Sequence, residues 1–508
     1  MDEDKRSQPQ DNAKRPLTER VARGAIWIVA ARFIVRSLGL INTFILARLL
    51  VPGDFGVVAI GLTVMQLLQN LSDIGVSQAV VRFRDATRDH FDTLFTLSII
   101  RGVIVGAILL SVSYFASDFY KDERVGTVFM VLAVAPIIQS LVNPRFFEFE
   151  RDLDFSREFM ASGINKIVGV VISVSIALTF GNYAAILGGL VAGLTAQTIL
   201  SYLFRPYAPR LTFSKLRELF SFTGWVTGLS IVSALNNKLD MLIVGRFIGP
   251  AQTGAYYLGS SVAAIPSTEI AHPIARAIYP GLSELQKKPA QMKEAYLRGV
   301  EALSMIAMPA TFGCSFVAAD LVAILLGSQW DLAVPLVRYL APAAGVLLLS
   351  SAVQSYALAR GMPREAFWRY LLFFCIRMPF FIWATATYGM MGAVYAVAIG
   401  WLFLTFVQLT LYMRISGGGF FDTFVKVRRS AFGVGVMAAY FLGLRPHLAM
   451  IDGLGLFARF ICDVGVSAMI YIGAVYAVWR AEGSPESVED KILKLVSARW
   501  EKLKLRTP

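Results

Sequence analysis

Apolar stretches separated by short polar connections occupy the chain from about residue 24 to residue 479. A hydrocarbon core of roughly 30 Å takes about 20 helical residues per crossing. Stretches of that order lie at 24–50, 55–80, 91–115, 125–143, 161–180, 183–204, 219–246, 254–279, 299–326, 332–358, 366–388, 390–413, 430–447 and 454–479. The pattern predicts an all-α polytopic membrane protein with about fourteen transmembrane helices. The thirteenth is short and ends in Arg445, Pro446 and His447.

The polar connections settle the expected sidedness. Most of the 48 Lys and Arg residues fall in the two tails or in every second loop. The N-terminal tail holds Lys5, Arg6, Lys14, Arg15, Arg20 and Arg23, the loop after the second stretch holds Arg82, Arg84 and Arg88, and a basic tail begins at Arg480. Positive charge prefers the cytoplasmic side, most of all in short loops. An even number of crossings then places both termini in the cytoplasm, and loss of the thirteenth stretch alone would put the basic C-terminal tail on the wrong side.

Composition changes this picture little. Hydrophobic residues make up 56% and charged residues 16%, with a mean hydropathy of +0.59, too apolar for a soluble chain of 508 residues. A net charge of +13 would suit a nucleic-acid binder, but these cations form collars suited to anionic membrane lipid, so no nucleic acid is expected. The opening MDEDKRSQPQDNAKRPLTER has no apolar centre and reads as a cytoplasmic tail, not a signal peptide. Cys314, Cys375 and Cys462 are widely separated within apolar segments and lack metal or redox spacing. No metal site or cofactor is expected. The longest internal connections, 144–160 and 280–298, are too short for a catalytic or ATP-binding domain, and no Gly-rich phosphate loop occurs. Activity is therefore expected within the helices, without enzymatic chemistry.

An internal repeat supplies the organisation. ARLLVPGDFG at 47–56 recurs as GRFIGPAQTG at 245–254, which aligns Arg48 with Arg246, Pro52 with Pro250 and Gly56 with Gly254, and keeps Trp27 in register with Trp225. Each copy ends one helix, turns at Pro and starts the next, and its Gly allows close backbone approach. The copies are separated by six helices, an even number, so they share one orientation. Two parallel six-helix lobes plus two C-terminal helices follow, an arrangement found among alternating-access transporters. The expected divisions are a tail at 1–23, a first lobe at 24–204, a cytoplasmic linker at 205–218, a second lobe at 219–413, two further helices at 414–479 and a basic tail at 480–508.

Over residues 24–290 above all, the chain resembles the polysaccharide transporter branch of the multidrug/oligosaccharidyl-lipid/polysaccharide exporter superfamily. The residues that carry the resemblance are WIVAARFIVRSLGLINTFILARLLVPGDFGVVAIGLTVMQLLQNLSDIGVSQAVVR, NNKLDMLIVGRFIGPAQTGAYYLG and IYPGLSELQ. It implies a flippase for undecaprenyl-diphosphate-linked sugar repeat units at the bacterial inner membrane, for exopolysaccharide or lipopolysaccharide. It also implies a central cavity between two lobes, lined by cations of the first and seventh helices, which here carry Arg32, Arg36 and Lys238. Polysaccharide polymerase and chain-length proteins are the implied partners.

The residues themselves point to an anionic cargo. A cation at mid-helix costs about 2.5–3.5 kcal/mol on insertion scales, so it faces protein or water. Arg32 and Arg36 share one face of the first helix, with snorkelling as the alternative for Arg32. Arg101 and Arg377 lie near mid-membrane, as candidates either for anion contact or for pairing with a carboxylate on another helix. Arg338 reads as interfacial. Lys238 is a candidate substrate contact, and nearby Asp240 either a structural partner or a coupling carboxylate. Glu269 and His272 are candidates for proton or sodium coupling, or for a hinge with Arg276 between Pro266 and Pro273. The competing reading is a cation-coupled small-molecule or drug antiporter, whose cavity would be expected to hold carboxylates and aromatics.

Overall fold

Helices take up the apolar stretches, and no strand occurs among the described residues. The structure is a computed structural model that describes residues 17–72, 87–151, 155–215, 224–271, 285, 288–350, 353, 356–357, 360, 362–419, 421–448 and 453–484. We number the principal helices α1 (Leu17–Leu49), α2 (Pro52–Leu71), α3 (Arg88–Tyr120), α4 (Glu123–Ser140), α5 (Phe155–Phe180), α6 (Ala184–Phe204), α7 (Gly224–Ile248) and α8 (Pro250–Ile265). They continue as α9 (Pro289–Phe316), α10 (Val334–Leu348), α11 (363–388), α12 (390–416), α13 (Phe421–Ala439) and α14 (Leu456–Ala481). Among the described residues nine helical runs are long and apolar enough to cross a membrane, and the chain is an integral membrane protein.

Local chemistry sets the ends. Pro52 at the start of α2 needs no amide partner, and Val51 before it is extended at φ −85° and ψ 155°. Asp122 caps α4 by accepting from the Arg124 backbone N–H at 2.9 Å, and Arg124 donates back through Nε at 3.0 Å and Nη2 at 2.8 Å. The α11–α12 run reverses at Gly389, whose φ of 60° and ψ of −140° belong to a region that side chains exclude.

The described residues divide into two compact units, within Met1–Thr223 plus Gly249–Gly254 and within Gly224–Ile248 plus Ala255–Pro508. In the first unit α5 lies along α6 and against α1, and α3 packs on α4. Small residues bring these backbones together. A methyl group on Gly189 would stand 2.7 Å from the Gly169 carbonyl oxygen, and one on Gly193 would stand 2.6 Å from Asn165 Oδ1. The two copies of the repeat meet in this unit as well. A methyl on Gly56 would fall 1.9 Å from Pro250 O, and one on Gly254 would fall 1.8 Å from Pro52 O. That reciprocal approach is why glycine stands at both positions.

The first part of the 205–218 connection is fixed to the first unit. Asp92 Oδ1 accepts from Tyr207 Oη at 2.5 Å and from the Arg210 N–H at 2.8 Å, and Thr96 Oγ1 accepts from the Thr212 N–H at 2.9 Å. In the second unit α7 packs on the α11–α12 hairpin, and α9 packs on α10 and α13. The C-terminal pair α13 and α14 contributes to that unit's core, where Met437 and Tyr471 join Tyr296, Tyr356 and Tyr412.

Candidate functional site

Each unit holds its own set of polar side chains at membrane depth. In the second unit Asn236, Lys238 and Asp240 lie on α7, and Arg377 comes from α11. Arg377 is only 4% exposed. Its Nη1 donates to both Asn236 O and Asn236 Oδ1 at 2.9 Å, and its Nη2 donates to Asp240 Oδ2. Phe373 and Phe381, one turn to either side on α11, flank the guanidinium at 5.9 and 5.6 Å from their ring centroids. Gly400 on α12 makes room for it, since a methyl there would stand 3.0 Å from Arg377 Nε. A carboxylate from another helix, Asp240 of α7, thus lies against the Arg377 guanidinium. Lys238 is half-buried on the same helix.

Glu269 sits in a π-helical turn, Pro266–Ala271, that continues α8. Its Oε1 accepts from Thr268 Oγ1 at 3.0 Å. The wide turn follows from Pro266, which has no amide to donate to the preceding turn. His272, Pro273, Arg276 and Pro280 lie outside the described residues.

In the first unit α1 presents Arg36 with an exposed side chain, while for Arg32 only the helical backbone is described. Arg101 on α3 turns toward the end of α2, donating from Nε to Ser72 Oγ and from Nη2 to Gln69 O, each at 3.2 Å. The last turn of a helix leaves carbonyl oxygens without partners, and a cation there also meets the favourable end of the helix dipole. Arg101 thus holds α2 to α3. Arg338 is exposed on α10.

One cation outside the sequence-derived set stands out. Lys166 on α5 lines a cavity of about 270 Å³ with Gly39, Asn42 and Thr43 of α1, Asn165 and Ser173 of α5, and Gly189 of α6. Ser173 Oγ donates to Asn42 Oδ1 at 2.9 Å, and Asn165 Nδ2 donates to Gln197 Oε1 at 2.7 Å. The sequence signal is the Asn165–Lys166 pair inside an otherwise apolar run, which the nearby loop arginines at 145, 151 and 157 obscure.

Three other buried carboxylates among the described residues meet arginines. Asp54 meets Arg124 at 3.3 Å, and Asp463 meets Arg445 at 2.7 Å. Glu148 gathers Arg145 and Arg151 at 3.1 Å and Arg205 at 2.8 Å. No group of three or more His, Cys, Asp or Glu suited to a metal ion occurs among the described residues.

The profile of a family described as polysaccharide biosynthesis protein matches residues 45–335. Among curated proteins, an uncharacterized membrane protein in the cps region of Klebsiella pneumoniae is 27% identical over 74% of this chain and 78% of its own length. The lipopolysaccharide biosynthesis protein WzxC of Escherichia coli K12 is 23% identical over 78% of this chain and 80% of its own. The succinoglycan biosynthesis transport protein ExoT of Rhizobium meliloti is 24% identical over 71% and 72%. Of solved structures, the lipid II flippase MurJ in an inward closed conformation has the same fold, with a TM-score of 0.69 over 89% of this chain and 98% of that one at 13% identity. An inward-facing multidrug resistance MATE family transporter follows at a TM-score of 0.60, covering 75% and 94% at 15% identity.

Proposed function

The chain belongs to the polysaccharide biosynthesis protein family, and from that premise we propose that it is a flippase for undecaprenyl-diphosphate-linked oligosaccharide repeat units. The reading places it in the bacterial inner membrane with both termini in the cytoplasm, serving surface polysaccharide biosynthesis by alternating access. Relatives named for lipopolysaccharide biosynthesis and succinoglycan transport, and the shared fold with a lipid II flippase, support it. The observation that carries it is a membrane-spanning fold in which, among the described residues, Asp54, Asp240 and Asp463 each meet an arginine and the cation Lys166 lines a cavity without carboxylates. Such a lining favours an anionic cargo over a cationic one.

Basic loops at the cytoplasmic face draw in the diphosphate. Arg32, Arg36 and Lys238 then hold it, and the polyprenyl chain stays in lipid. Arg101 and Arg377 position helices instead, Arg101 by donating to Ser72 and Gln69 of α2 and Arg377 by donating to Asn236 and Asp240 of α7. Glu269, with His272 beside it in sequence, is our proposal for proton or sodium coupling, because Asp240 already balances Arg377. Polymerase and chain-length proteins would receive the product. No covalent step is needed.

Reconstitution in liposomes with a fluorescent polyprenyl-diphosphate oligosaccharide tests the reading. Translocation well above that of empty liposomes is expected. A charge-assisted hydrogen bond contributes about 1.5–3 kcal/mol, so Arg36→Ala or Lys238→Ala should slow translocation roughly 10- to 100-fold. A protein that leaves this lipid in place yet exchanges a cationic drug for protons or sodium is the antiporter instead.

A further inference from the structure

The cavity between α1, α5 and α6 lies wholly within the first unit. Its depth can be read from α1. The Lys166 ammonium reaches Gly39, where a methyl group would stand 3.9 Å from Nζ. Gly39 precedes the end of α1 at Leu49 by ten residues, roughly 15 Å of helical rise, which is about half of a 30 Å hydrocarbon layer. Lys166 therefore delivers its charge near mid-membrane and does not snorkel to an interface. Its side chain is exposed there. A charged ammonium in contact with lipid tails is costly, so the open side of the cavity faces water or a polar cargo.

The lining selects a kind of ligand. It offers one ammonium together with the amides of Asn42 and Asn165 and the hydroxyls of Thr43 and Ser173, and it contains no carboxylate. Asn42 accepts from Ser173 through Oδ1, which leaves its amide N–H groups for another acceptor. A point charge with neutral donors and acceptors suits a singly charged, hydroxyl-rich group. A diphosphate, with more negative charge and more oxygens, calls for several cations or guanidinium forks. The volume of about 270 Å³ lies just under the roughly 300–1,000 Å³ of pockets for drug-sized ligands, so it admits one sugar ring and not an oligosaccharide. The walls are fixed by the close approach of Gly169 to Gly189 and of Asn165 to Gly193, so the cavity is built into the α5–α6 contact.

We propose that this cavity is a specificity site for an acidic sugar of the cargo, with Lys166 binding the sugar carboxylate and Asn42, Asn165 and Ser173 binding its hydroxyls. The proposal rests on the flippase reading and adds the chemical class of the repeat unit.

Two fluorescent polyprenyl-diphosphate oligosaccharides that differ only in glucuronate against glucose provide the test, in liposomes holding the full-length protein. Wild type should translocate the glucuronate lipid several-fold faster than the glucose lipid. Lys166→Gln should cut that rate ratio about tenfold, Lys166→Arg should keep most of it, and Asn42→Asp, which sets a carboxylate in the same lining, should lower it by a second route. A ratio of one in wild type, or a ratio unchanged in both Lys166→Gln and Asn42→Asp, overturns the acidic-sugar site and leaves the flippase reading standing. Wild type that translocates neither lipid overturns the flippase reading and this proposal with it.

Discussion

Arg377 and Asp240 leave water together, and in so dry a setting the removal of either strands the other as an uncompensated charge. Arg377→Met is expected to cost about 3–5 kcal/mol of stability, while Arg377→Met combined with Asp240→Leu should recover most of the loss. Thermal unfolding of the detergent-solubilised protein checks this, and a single variant as stable as wild type would contradict the buried pair. The sequence identified both residues as charges within the membrane. It did not join them, because they lie 137 positions apart and the pairing depends on how α7 and α11 are rotated. Lys166 went unnoticed for a related reason: its depth follows from its position beside Gly39 of α1, not from its own helix. Gly56 and Gly254 were legible as a repeated turn, whereas their contact with Pro250 and Pro52 carbonyls was not.

Among the elements, α4 depends on its cap. Asp122 satisfies the free amide of Arg124 in the first turn of the helix and holds the Arg124 guanidinium, and the hydrogen bond from Arg124 keeps its carboxyl below the ordinary carboxylate range. A depressed value in the folded state means the stabilisation is present above the unfolded value of about 4 and is lost as pH falls through the lower folded value. Asp122→Asn should therefore be less stable than wild type at pH 7 by about 0.2–1 kcal/mol, with the difference shrinking toward pH 3. Melting curves of both proteins across that range measure it, and a constant gap would show that the carboxylate charge is not responsible. The α11–α12 reversal was anticipated as two segments divided near residue 389. Its sharpness comes from Gly389 alone, a conformation that apolar patterning does not record.

For the whole molecule, the basic collars predict a sidedness that reporter fusions can read. Fluorescent protein fused to either terminus should be active, and alkaline phosphatase should be active only when inserted at an external turn such as Lys121. Phosphatase activity at the C-terminus would mean an odd number of crossings and would remove one of the fourteen segments. The membrane class and the all-helical character were determined by the sequence by itself, because passage through hydrocarbon is judged segment by segment from length and apolarity. Which cation meets a carboxylate, and that α1, α5 and α6 leave a polar cavity, only the tertiary structure decided. Those outcomes depend on the rotation and close approach of helices distant in the chain. A membrane helix that is apolar on nearly every face gives little periodic signal of how it will turn.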